Sequence, residues 1–173
     1  PHVYDYEVKE VWHQVTFYNS DFENEQEIGI DIAGDPIDGA LNLDPQKNYL
    51  IYDFWNDNFC GVFDGEARIE QVLRPGEARM LSVREKENHP QVISTNRHIM
   101  QGYLDMADVK WDSKTKELSG TSKVVAGDPY IITIANNGMI PISEGVDSND
   151  EMVSKLEINS TETKEIQWSI SFK

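Results

Sequence analysis

Arg97 and His98 stand side by side in Ser94-Thr95-Asn96-Arg97-His98-Ile99, with Gln101 three residues on from His98. A guanidinium beside an imidazole can orient a ligand or bind a carboxylate. The competing assignment is a pair that hydrogen-bonds backbone at a strand end or faces a neighbouring domain. It is the default, because most side-chain hydrogen bonds go to backbone or water. Trp12, Trp55, Trp111 and Trp168 have faces that suit stacking on sugar rings. All four fall in strand-like stretches, where a tryptophan is more often core. Trp12 is the best exception, because Gln14 and Thr16 share its face. Trp12, Trp55, Arg97, His98 and Gln101 are therefore the candidate interface or ligand-contact residues.

Catalytic chemistry finds no equivalent foothold. The chain contains no glycine-rich phosphate loop, nucleophile elbow or paired-histidine zinc motif. Glycoside hydrolysis needs two carboxyls at a controlled separation across a cleft, and nothing in the order of residues singles out such a pair. Asp53 is unusual in lying inside an apolar run, and hydrogen bonds from backbone or an arginine are expected to hold it. Asp147, Asn149, Asp150 and Glu151 could offer oxygen ligands to calcium, but the spacing lacks the full EF-hand pattern, so a solvated loop is expected. His2, His13 and His89 show no ligand spacing. Cys60, the sole cysteine, forms no intrachain disulfide and reads as a small buried hydrophobe. No catalytic residue, metal or cofactor is assigned.

The elements that would position these residues are strands. Val11, His13, Val15 and Phe17 alternate with Trp12, Gln14, Thr16 and Tyr18; Ile28, Ile30 and Ile32 alternate with Gly29 and Asp31; Ile166, Trp168, Ile170 and Phe172 alternate with Gln167, Ser169 and Ser171. A period of two sends one set to the core and the other to solvent. Tyr49 to Trp55 is apolar except for Asp53 and predicts a strand covered on both faces. Pro75-Gly76 between the runs 67–73 and 78–83 predicts a type II turn closing a hairpin. Further strands are expected at 91–95, 108–111, 116–124, 130–135 and 152–158, with one helical turn near Met100 to Met106. The fold class predicted is all-β: an antiparallel β-sandwich, Greek-key-like, formed as one domain over residues 1–173. The last two strands, beyond the acidic loop, return to it.

Charge narrows the partners. A net charge of −16 repels nucleic-acid phosphate and anionic membrane, whereas neutral sugars remain compatible. No apolar stretch approaches the length that spans a bilayer. No signal peptide is visible, and the start at Pro1-His2 reads as an excision boundary.

Tyr49-Leu50-Ile51-Tyr52-Asp53-Phe54-Trp55 followed by Phe59-Cys60-Gly61 resembles the Tyr-x-Val-x-Asp-Phe-Trp … Leu-Gly segment of C-terminal β-sandwich domains in α-galactosidase-like (melibiase-like) bacterial glycoside hydrolases. Val15-Thr16-Phe17-Tyr18-Asn19 before Ile28-Gly29-Ile30, the segment from Leu73 to Arg79, and His89 to Gly102 are similar to the same domains in order and spacing. The likeness runs over roughly residues 10 to 136, and the segment after about 140 departs from it. It implies an accessory domain that follows a (β/α)8 catalytic barrel, packs against and stabilises it, and belongs to an exported, periplasmic or extracellular, polysaccharide-degrading enzyme. Catalytic residues would lie in the barrel, so the chain itself is expected to be inactive. The alternative is a carbohydrate-binding module with an exposed aromatic platform for polysaccharide or oligosaccharide.

Overall fold

The computed structural model describes residues 11–148 and 150–173. Among these residues thirteen strands follow one another: β1 Trp12–Tyr18, β2 Gln26–Asp31, β3 Asn48–Asp53, β4 Asn58–Asp64, β5 Arg68–Leu73, β6 Ala78–Glu85, β7 Gln91–Thr95, β8 Met106–Asp112, β9 Glu117–Val124, β10 Tyr130–Ala135, β11 Val146–Asp147, β12 Val153–Ile158 and β13 Lys164–Ser171. The chain is all-β, built from antiparallel sheets in a sandwich-like arrangement. The one helical turn among the described residues is a 3-10 turn at Pro36–Asp38, which Asp35 caps through the N–H of Ile37. The helical turn expected near Met100 to Met106 is a series of non-helical turns.

The described strands form four sheets, in the orders β1-β6-β3-β4, β2-β5, β11-β12-β10-β7 and β13-β9-β8. Their alternating side chains generate three apolar clusters. Val15, Phe17, Tyr49, Ile51, Leu81 and Val83 from the first sheet meet Ile69 and Leu73 from the second, with Ile32 beside them. Val92, Ile132 and Ile134 of the third sheet meet Leu118, Trp168 and Ile170 of the fourth. A smaller cluster of Leu50, Tyr52, Ile93 and Ala135 joins the first sheet to the third, with Phe59 and Val153 at its margin. The molecule is thus layered as two sandwiches back to back. Strand β3 needs apolar residues on both faces because it has a core on each side. This explains the unbroken run Tyr49–Tyr52.

The Pro75-Gly76 turn is present, with Gly76 at φ +69, but it does not close a hairpin. β5 pairs with β2, while β6 enters the other sheet between β1 and β3. Asn19 makes this corner. It is buried, its N–H donates to the carbonyl of Glu77 at 2.9 Å, and its side-chain amide lies 3.1 Å from the carbonyls of both Leu73 and Arg74. A buried amide that satisfies the backbone on both sides of the turn lets the chain cross between layers without orphaned polar groups.

Candidate functional site

The face of the first sheet turned away from its own core carries, in register, Trp12 opposite Arg84, Gln14 opposite Ser82, Thr16 opposite Met80 and Tyr18 opposite Ala78. The turns at 97–105 cover one end of it. There Arg84 is buried, with its guanidinium 3.9 Å from the Trp12 ring centroid and Nη2 donating to the Gln101 carbonyl at 2.8 Å. Tyr103 meets Trp12 edge-on at 5.8 Å, and Gln14 Nε2 donates to the Ile99 carbonyl at 2.7 Å. Trp12 is half-buried, and its ring is committed to a cation–π stack. Sequence reasoning missed Arg84 and Tyr103. The alternation that places Trp12 outward on β1 also places Arg84 outward on β6, so the signal was present once the two strands were known to pair.

Gln101 is fully buried at φ +51, and neither atom of its side-chain amide has a hydrogen-bond partner among the described residues. Arg97 does not converge with His98 on a shared pocket. Its Nη1 pairs with the Asp128 carboxylate, and its guanidinium lies 5.7 Å from the Tyr130 ring centroid. The His98 ring accepts from the N–H of Met100 at 3.1 Å through Nδ1, within its own turn.

The other end of this face is open. Trp55 lies past the end of β3 in a turn and is 62% exposed, so the expectation of an in-strand, packed ring is corrected. The reason is local: Asp53 accepts from the backbone N–H of Asn56 at 3.2 Å and from its side-chain amide at 2.6 Å, which bends the chain away from the sheet. The buried Asp53 is thus held by a backbone hydrogen bond, as expected, whereas Arg79 Nε, 3.9 Å away, makes an ion pair but no hydrogen bond to it and lies closer to Glu77 at 3.1 Å. Phe54 continues across the sheet, its N–H donating to the Met80 carbonyl at 3.0 Å, and Trp55 sits edge-on to it at 5.0 Å. Tyr18, Thr16, Met80, Phe54 and Trp55 therefore form one partly exposed strip.

The remaining tryptophans are structural. Trp168 is buried and donates to Ser122 Oγ at 2.9 Å, and Trp111 stacks on His89 at 5.5 Å and meets Phe172 edge-on. Cys60 is partly buried against the first core, where burial pushes its thiol pKa up. His2 lies outside the described residues, as does Asn149 of the acidic loop. Of that loop, Asp147 belongs to β11 and Asp150 accepts from the N–H of Met152 at 2.7 Å. Among the described residues no cluster of three histidine, cysteine or acidic side chains is placed to hold a metal ion.

The described residues also form concavities, and two bear on function. The outer face of β8-β9-β13 is a polar trough of about 550 Å³ floored by Ser119, Gly120 and Thr121. A second, of about 290 Å³, opens where the first and third sheets meet, between Tyr52, Asp57, Asn58 and Phe59 on one side and Asp147, Asp150, Val153 and Lys155 on the other. In it Asp57 accepts from the Tyr52 hydroxyl and from Lys155 Nζ, the latter at 2.5 Å. Burial, then the hydrogen bond to Asp57, pushes the Tyr52 phenol pKa well above its ordinary value. No known family model matches the chain, and neither a characterised protein nor a solved structure matches it.

Proposed function

We propose that this chain is a non-catalytic accessory domain of a carbohydrate-active enzyme, a glycoside hydrolase, which packs against and stabilises a (β/α)8 catalytic barrel in the same polypeptide. The observation that supports this reading most is the strip of Tyr18, Thr16, Met80, Phe54 and Trp55, with Tyr18 50% and Trp55 62% exposed. Aromatic side chains gathered on one open sheet face suit a docking surface better than a solvated one. Of the stretches that resemble α-galactosidase-like domains, those on β1, β3, the start of β6 and the turn after β7 border this face, while Ile28–Ile30 and Phe59–Gly61 lie on β2 and β4. An exported location belongs to the same reading. Among the described residues, no helix is long and apolar enough to cross a membrane.

A carbohydrate-binding module is the second reading, favoured by the exposure of Trp55 beside Phe54. The two separate experimentally. The reading frame upstream of Pro1 should encode a barrel, and in the full polypeptide Trp55→Asp should split a shared thermal transition into two. A reading frame without a barrel overturns the first reading. An unchanged transition in the variant removes the strip as the docking surface, and saturable quenching of Trp55 by oligosaccharides favours the second reading.

A further inference from the structure

We infer that the cleft between the two sandwiches binds a single neutral pyranose ring, at a site separate from the Trp55 strip. Thr133, Lys155 and Asp147 stand in one row across β10, β12 and β11, because Lys155 is opposite Thr133 on one side and Asp147 on the other. Side chains so paired lie within about 5.5 Å of one another at Cβ. The first sheet contributes the Tyr52 hydroxyl, 3.5 Å from Thr133 Oγ1, the Asp57 side chain from the turn that follows β3 and Asn58 at the start of β4. Lys155, Asn58, Asp57 and Asp147 thus set donors and acceptors next to one another. A vicinal diol needs that arrangement, since each hydroxyl gives one hydrogen bond and takes others. Phe59 and Val153, held by the joining apolar cluster, supply the nonpolar wall that the C–H face of a sugar ring requires.

Size and charge select the ligand. About 290 Å³ is at the lower limit of small-molecule pockets, so one ring fits and two do not. Asp57, Asp147 and Asp150 against Lys155 leave the lining at a formal −2, which repels phosphate and uronate. Lys155 already occupies the cationic position against Asp57, which disfavours an ammonium ligand there. The choice of a sugar over another polyol rests on the carbohydrate-active reading above, but the site does not depend on docking to a barrel. A chain that binds sugars and no barrel would sink the docking reading alone.

The test is a ¹⁵N-¹H correlation titration of the chain with methyl α-D-galactopyranoside, methyl β-D-glucopyranoside and methyl α-D-mannopyranoside, with tetramethylammonium as the cationic comparison. The expected result is saturable shifts at the amides of Asn58, Phe59, Val153 and Lys155 for at least one glycoside. A Kd on the order of 1 mM suits so small and open a cleft. Lys155→Met and Asp57→Asn should each weaken binding at least about tenfold, the size of one charge-assisted hydrogen bond, while Lys164→Met changes nothing. Asp147→Asn, at an exposed position, serves if either of the first two variants fails to fold. Absence of shifts with all three glycosides, shifts centred on Trp55 or on β8-β9-β13, or an equal response to tetramethylammonium would overturn the proposal.

Discussion

Replacing Gly120 by alanine should destabilise the chain, even though such a change usually stabilises a strand. Gly120 lies opposite Trp168 in the β9–β13 register. A Cβ there would sit 2.6 Å from Trp168 Cζ2, closer than real Cβ contacts come, and 3.1 Å from Cε2, which is tight. The neighbour that must yield is a rigid ring, 7% exposed and fixed by the bond from Nε1 to Ser122. Over-packing of this kind costs about 1–3 kcal/mol. Loss of the indole hydrogen bond adds about 0.5–1.5 kcal/mol, and reduced freedom of the unfolded chain offsets about 0.4–1 kcal/mol. The net loss is about 2 kcal/mol, or a fall of roughly 4–8 °C in Tm for a chain of this size. Urea and thermal unfolding followed by tryptophan fluorescence measure it. The mechanism makes a sharper demand through a double mutant: Trp168→Phe, which shrinks the ring, should recover at least about 1 kcal/mol of the Gly120→Ala penalty, a coupling expected only between residues in contact. Unchanged or raised stability in Gly120→Ala, or strict additivity with Trp168→Phe, would refute the argument that the indole fills the space above this glycine.

Trp55→Ala should cost under about 1 kcal/mol in urea unfolding, since its exposed ring loses little beyond the edge contact with Phe54; a loss of 3 kcal/mol would mean the ring is buried. Gln101→Met should leave stability unchanged or raise it by up to about 1 kcal/mol, because the unpartnered amide carries a desolvation cost that the thioether lacks; clear destabilisation would show that the amide is satisfied. Asp21 is held down at about 2, from an ordinary 3.8, first by the Asn24 side-chain amide and then by the N–H groups of Glu23 and Asn24. Its contribution is therefore complete above about 3.8 and lost as pH falls toward 2, so Asp21→Asn should flatten the acid limb of a stability curve in that window. Burial raises the Tyr52 and Tyr130 phenols above their ordinary 10. The stability tied to their neutral forms is present below pH 10 and lost above it, and their absorbance change at 295 nm should coincide with unfolding.

The sequence makes some of this architecture legible and hides the rest for identifiable reasons. Strands β7 and β10 fall at 91–95 and 130–135, where alternation and the Gly127-Asp128-Pro129 and Asn136-Asn137-Gly138 turns place them. The alternation of Ile166, Trp168, Ile170 and Phe172 gives the core face of β13 and the strand end beyond it. The supposed hairpin at Pro75-Gly76 fails because the same turn serves a hairpin and a corner between layers. The choice is made by Asn19, more than fifty residues away in sequence from the Leu73 carbonyl it reaches, and no local pattern encodes that reach. Trp55 was misplaced for a local reason: the polar Asn56-Asp57-Asn58 was a turn signal sufficient to end the strand before the ring. The junction cleft was invisible because Asp57 and Lys155 are 98 positions apart, and only the back-to-back packing of two sheets brings them together.

The three apolar clusters also bear on how the chain emerges from the ribosome. Every buried member of the first core lies between Val15 and Val83, and every buried member of the second between Val92 and Phe172. During synthesis, the first core can close as soon as β6 has left the exit tunnel, before any residue of the second is needed. Its outer face then exposes Leu50 and Tyr52 until β7 and β10 arrive with Ile93 and Ala135. The completed first half thus serves as the template on which the second half is laid down. A pause in translation once β6 has cleared the tunnel would give the first core time to close before the second half is laid on it.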